Sequence, residues 1–137
     1  MSQFKASKYP KDHFDKFYIN KFQDNICLTL VGKNKRHLHF KLKDVNRVIR
    51  LFNEYKNRHK VDVSIYERLD LYNRRYQPSK NYYLEFFWSA YYFLSIDDQG
   101  NNINDHLRIV HKNDVYSFCP TTNEEIDEII FALTKLI

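Results

Sequence analysis

The sequence predicts an α+β domain, and three observations carry that expectation. Apolar and polar residues alternate through 26–42, the period of a half-buried strand pair. Apolar residues recur at helical spacing after Asp44 and again after Thr122. Between them lies YYLEFFWSAYYFLSI, 82–96, with eight aromatics in fifteen positions and strong strand propensity. The expected architecture is an antiparallel or mixed sheet of about five strands, with two central helices and a C-terminal helix. A chain of 137 residues that is 43% hydrophobic suits one domain with one core.

The elements follow in order. Residues 1–13 read as a polar, basic arm containing Lys5, Lys8, Lys11 and Pro10, and 14–137 as the single domain. Phe14, Phe17, Tyr18 and Phe22 fit one helical face, while Phe17 to Ile19 could equally open a strand. Ile26, Leu28 and Leu30, then Leu38, Phe40 and Leu42, form the apolar face of a hairpin whose turn is Gly32 to Lys35. Cys27 is expected to pack there as a small apolar residue. Asp44 is expected to cap a helix carrying Val45, Val48, Ile49, Phe52 and Tyr55 on its buried side. A capping box of Ser64 and Glu67 predicts a second helix with the stripe Ile65, Leu69, Tyr72 and Tyr76.

Residues 82–96 are too long for one ordinary strand, so a bend or reversal is expected near Ser89 and Ala90, with a buried helix as the alternative. Asp97 to Asn102 read as a turn, followed by short strands at Leu107 to Val110 and Val115 to Phe118. Thr122 and Glu125 make a capping box for the last helix, whose buried face is expected to be Ile126, Ile129, Ile130, Leu133 and Ile137.

Charge is divided unevenly. Residues 1–80 hold 19 Lys and Arg against 8 Asp and Glu, whereas 81–137 hold 3 against 9. A concentrated positive field attracts polyanions and acidic protein surfaces. The candidate binding residues are therefore Lys33, Lys35 and Arg36 in the hairpin turn, Arg47, Arg50, Arg58 and Lys60 around the first helix, and Arg74 and Arg75 beyond the second. A nucleic-acid role requires the arginines of this set to share one face.

Catalytic and cofactor chemistry finds little support. Two isolated glycines, Gly32 and Gly100, cannot build a phosphate-cradling loop, and no Gly-x-Ser-x-Gly elbow occurs. His37 and His39 project from one strand face near Cys27, but neither a Cys-x-x-Cys nor a His-x-x-x-His spacing completes a zinc set, so no metal is expected. The Asp97 and Asp98 turn lacks the glycine offset and bidentate Glu of a calcium loop. Two distant cysteines, Cys27 and Cys119, give no disulfide framework. Without a long apolar run or an apolar segment after Met1, the expected setting is cytoplasmic with no membrane contact. The abundance of Asn, Lys and Ile over Gly and Ala is the bias of an AT-rich gene, such as one from a low-GC bacterium, a phage or a mobile element. The sequence thus predicts a small non-enzymatic binding protein without cofactor. It is expected to act stoichiometrically on a protein partner as an inhibitor or accessory factor, the alternative being nucleic-acid binding through the basic stretch 33–75.

Overall fold

The computed structural model describes residues 11–12, 14, 16–57, 71–89, 105–112, 114–118 and 123–137. The fold is α+β. Its strands are β1 (Lys11–Asp12), β2 (Lys16–Phe22), β3 (Asn25–Val31), β4 (Lys35–Lys41), β5 (Leu71–Ser79), β6 (Tyr82–Ser89), β7 (His106–His111) and β8 (Asp114–Phe118). The described helices are α1 (Val45–Lys56) and α2 (Asn123–Thr134), and a 3-10 turn at Leu42–Asp44 leads into α1.

The expectation of a single sheet is overturned, because the strands divide between two. One is a meander in the order β2-β3-β4, and the other has the order β1-β8-β7-β6-β5. All pairings are antiparallel except β1 with β8. The stretch around Phe17 resolves as strand, because Phe17 to Phe22 find a complete register against Asn25 to Leu30. Two-residue loops close the hairpins at Gln23–Asp24 and Lys80–Asn81, as their registers require. Gln23 and Lys112 accept positive φ, 55° and 58°, at the left-handed positions such turns demand.

The end of the expected second central helix is also corrected. Tyr72 and Tyr76, two members of its expected stripe, lie in β5, paired with Trp88 and Leu84 of β6. Ser64, Ile65, Glu67 and Leu69 lie outside the described residues, as do Asp97 to Asn102, Cys119 and the Thr122 cap. The aromatic segment is a strand up to Ser89, and its remainder, 90–96, also lies outside them.

One core joins both sheets. Ile26, Leu28, Leu30, Leu38 and Phe40 from the small sheet meet Val48, Leu51, Phe52 and Tyr55 of α1, and Leu84, Phe86, Trp88, Leu107 and Ile109 of the large sheet. Helix α2 adds Ile126, Ile129 and Leu133, whereas Ile137 is 71% exposed, contrary to expectation, because the helix ends at Thr134. Phe52 meets Phe86 edge-on at 5.0 Å, and Tyr55 meets Trp88 edge-on at 5.8 Å, geometries that suit aromatic quadrupoles. Asp44 does not cap α1 with its side chain. Its carboxylate instead accepts a 2.6 Å hydrogen bond from the buried Tyr76 hydroxyl, tying the helix start to β5. Burial first, and then this carboxylate, push the Tyr76 phenol well above its ordinary range.

Candidate functional site: an open basic sheet face and its adjoining cavity

Strand alternation sends one half of β2–β4 into the core and the other half outward. The outward half consists of four cross-strand rows: Lys16, Val31 and Lys35; Tyr18, Thr29 and His37; Asn20, Cys27 and His39; Phe22, Asn25 and Lys41. None of these twelve residues is acidic. Nine are exposed, including Tyr18 at 49% and Phe22 at 73%, large rings that a folded chain normally buries. Adjacent rows lie about 7 Å apart, so the two rings are separated by roughly 13 Å along β2. Lys16 Nζ stands 5.8 Å from the Tyr18 ring centroid, and Lys41 Nζ donates to Asn25 Oδ1 at 2.8 Å.

At the middle of this face Thr29 Oγ1 and His37 Nδ1 share a 2.9 Å hydrogen bond. Cys27 Sγ lies 3.8 Å from His37 Nδ1 and 4.0 Å from His39 Nε2. The thiol is thus part of the solvent side of the sheet, not the apolar filler expected. Among the described residues, no group of three or more His, Cys, Asp or Glu side chains is disposed to hold a metal ion.

The free edge of β4 turns toward the large sheet, where Tyr82 clasps it. The phenol donates to the His37 carbonyl at 2.8 Å and accepts from the His39 N–H at 2.5 Å, replacing the two bonds that a further strand would have made. Burial pushes the Tyr82 hydroxyl well above the usual phenol range, a trend that the His39 N–H opposes and the neighbouring Cys27 supports. Beside this clasp lies a cavity of about 510 Å³, walled by Lys35, Arg36, His37 and His39 on one side and by Tyr82 and His111 on the other. Tyr82 and His111 meet edge-on at 5.7 Å. None of the described lining residues is acidic. A second concavity of about 380 Å³ lies between Phe22, Cys27, Lys41 and Pro78, and His39 lines both.

The sequence-derived basic set is only partly gathered here. Lys35 lies on the open face, Arg36 lines the cavity, and Lys33 is exposed in the turn between β3 and β4. Arg47 and Arg50 occupy the solvent side of α1, and Arg58 and Lys60 lie outside the described residues. Arg74 and Arg75 are neighbours in a strand and therefore point to opposite faces. Arg74 Nε pairs with Glu54 of α1 at 3.0 Å, with its guanidinium 5.9 Å from the Trp88 ring centroid. Arg75 reaches the other face, 4.0 Å from the Tyr83 ring centroid.

That other face of the large sheet has a different electrostatic design. Glu85, only 1% exposed, accepts hydrogen bonds from Asn73 at 2.9 Å, Arg75 at 3.0 Å and Arg108 Nε at 2.7 Å, with a second bond from Arg108 Nη2. Burial would raise this carboxyl, but the bonds from Arg108, Asn73 and Arg75 and the Arg108 charge outweigh it and hold Glu85 below its ordinary range. The Phe87 and His106 rings stack beside this group at 5.1 Å.

Lys16, Tyr18, Phe22 and Lys41 of the open face, and Tyr82 and His111 of the separate adjoining cavity, are residues that the sequence did not point to. For Lys41 the signal was the phase of alternation, opposite to Leu38 and Phe40, whereas Lys16, Tyr18 and Phe22 are set outward only by the register of β2 against β3. Tyr82 and His111 carry no local signal, because a long-range pairing brings them to β4. No helix among the described residues is long and apolar enough to cross a membrane. The fold and site define an α+β protein with an open, cationic antiparallel meander. No protein-family model, no curated protein and no solved structure matches this chain.

Proposed function

We propose that this chain is a non-enzymatic binding protein that holds single-stranded nucleic acid on the outward face of β2–β4. The observation that carries the reading is the composition of that face, with two exposed rings set among lysines, histidines and asparagines and no carboxylate in twelve positions. Single strands are bound by the same combination, a positively charged track for phosphates and aromatic platforms for bases. Each stacked base contributes about 1 to 3 kcal/mol, and counterion release adds a salt-dependent term. Asn20 places an amide donor and acceptor between the rings, where base edges would lie, and Asn25 stands beside Phe22 in its row. The phosphate contacts fall to Lys16, Lys35 and Lys41, with Lys33 at the margin. Arg74 and Arg75 do not belong to this track.

The second reading is stoichiometric binding to a protein partner, and a separate feature favours it. Helix α2 exposes Glu124, Asp127 and Glu128 along with Phe131, which is 63% exposed, so the molecule also presents an acidic surface with an apolar residue in it. Aromatic anchors rimmed by charge are common at protein interfaces.

The test is fluorescence anisotropy with mixed-sequence single-stranded RNA and DNA, at low and physiological salt, with duplex DNA and polyglutamate as competitors. The expected result is micromolar or tighter binding to single strands, a salt slope of roughly three to four released counterions, and weaker competition by the duplex. Equal displacement by polyglutamate would move the reading to an acidic protein partner. No binding at low salt would remove the nucleic-acid reading.

A further inference from the structure

We infer that the cavity between β4 and the large sheet is a phosphomonoester site, and that it receives the phosphorylated end of a strand lying on the neighbouring face. The macromolecular part of this inference rests on the nucleic-acid reading above, whereas the chemistry of the cavity is independent of it. A volume of about 510 Å³ is within the range of small-ligand sites, large enough for a terminal nucleotide and not only its phosphate.

The lining selects the charge. Lys35, Arg36, His37, His39 and His111 surround the space, and no described lining residue opposes them with a carboxylate. A phosphomonoester carries about −1.5 to −2 at neutral pH, against −1 for each internal diester, so a cluster of this kind favours an end over the middle of a strand. Two features raise the strength of such contacts. Ile109, 4% exposed, and the half-buried Tyr82 ring form apolar wall, which lowers the local dielectric. The Tyr82 hydroxyl is already committed to the β4 backbone, so its ring acts as a fixed surface for a base or sugar while lysine and imidazole supply the donors.

The position of the cavity links it to the face. Lys35, His37 and His39 belong both to the outward rows of β4 and to the cavity wall, so a strand running over Tyr18 meets the cavity without leaving the basic track. His111 belongs to the cavity but not to the face, and it therefore separates the two activities.

The experiment compares short oligonucleotides of one sequence ending in 5′-phosphate, 3′-phosphate or hydroxyl only, together with AMP and adenosine, on the full chain and on His111→Ala and His111→Lys. One phosphorylated end is expected to bind about tenfold tighter than the hydroxyl form, as one or two charge-assisted bonds allow. His111→Ala should abolish that preference and leave affinity for the hydroxyl strand unchanged, and His111→Lys should keep the preference. AMP should compete where adenosine does not. Equal affinity for phosphorylated and hydroxyl strands, with AMP no better than adenosine, would overturn the site even if binding through Tyr18 persists. AMP binding that depends on His111, with no oligonucleotide bound, would keep the phosphomonoester site, assign it to free nucleotides and retire the nucleic-acid reading.

Discussion

The outward faces of the two sheets use similar residues to opposite ends. On the large sheet, Arg75 and Arg108 flank the buried Glu85 from both neighbouring strands, and Tyr83 and Phe87 lie against Arg75 and His106. Cation, ring and carboxylate are all supplied by the chain itself. On the small sheet, Lys16, Lys35, Lys41 and two histidines stand with Tyr18 and Phe22, and no acid shares the face. An arrangement completed internally is a structural element, whereas the face lacking its anion is the one we propose as a surface for a partner. The density of positive charge does not separate the two faces. The presence or absence of one buried glutamate does.

The largest test of that contrast is removal of a cation from each face. Arg108→Ala leaves Glu85 buried with fewer donors and should destabilise the fold by about 3 kcal/mol, as read by urea unfolding. Lys35→Ala should change stability by less than about 0.5 kcal/mol, because its charge is solvated. Equal effects at the two positions would dissolve the distinction.

Next in size is the clasp between the sheets. Tyr82→Phe strands the outward His37 carbonyl and His39 N–H at an edge and should cost about 1 to 2 kcal/mol in the same assay. The clasp also has a signature in alkali. Unfolded phenols ionise near 10, while Tyr82 and Tyr76 are held well above that value in the folded state. Their contribution is therefore complete below pH 10 and is lost as pH rises through and beyond it, since the unfolded chain sheds its protons first. Tyr82→Phe should flatten part of this alkaline loss.

Glu85 gives the opposite dependence. Its folded carboxyl lies below the reference value of 4.5, so its contribution is complete above that pH and declines as the medium is acidified below it, when the unfolded chain takes up the proton first. Glu85→Gln should weaken the acid dependence of the unfolding free energy between pH 4.5 and the onset of acid denaturation.

The legibility of these features in the sequence followed the range of the interactions that make them. The β3–β4 hairpin and α1 are local periodicities, and Leu28, Leu30, Leu38, Val48 and Phe52 were recognisable as core from spacing. β5 was not. Tyr72 and Tyr76 satisfy a helical spacing of four as readily as a strand spacing of two, and the choice is made by β6, which needs an antiparallel neighbour along Tyr72 to Tyr76. The basic character of the site was visible, but its boundary was not. Arg74 and Arg75 looked like a doublet in sequence and diverge because a strand alternates its side chains. Tyr18 and Phe22 looked like core until the register against β3 fixed their outward phase.

The smallest expected change in stability accompanies the largest expected change in binding, and this pairing is the most direct test. Tyr18→Ala with Phe22→Ala removes two exposed rings, and its unfolding midpoint should remain close to that of the parent chain. Its affinity for single-stranded oligonucleotide in an anisotropy titration at physiological salt should fall at least about tenfold, with the salt slope preserved because the lysines remain. Unchanged affinity in a variant that remains folded would show that the open face of β2–β4 is not the binding surface.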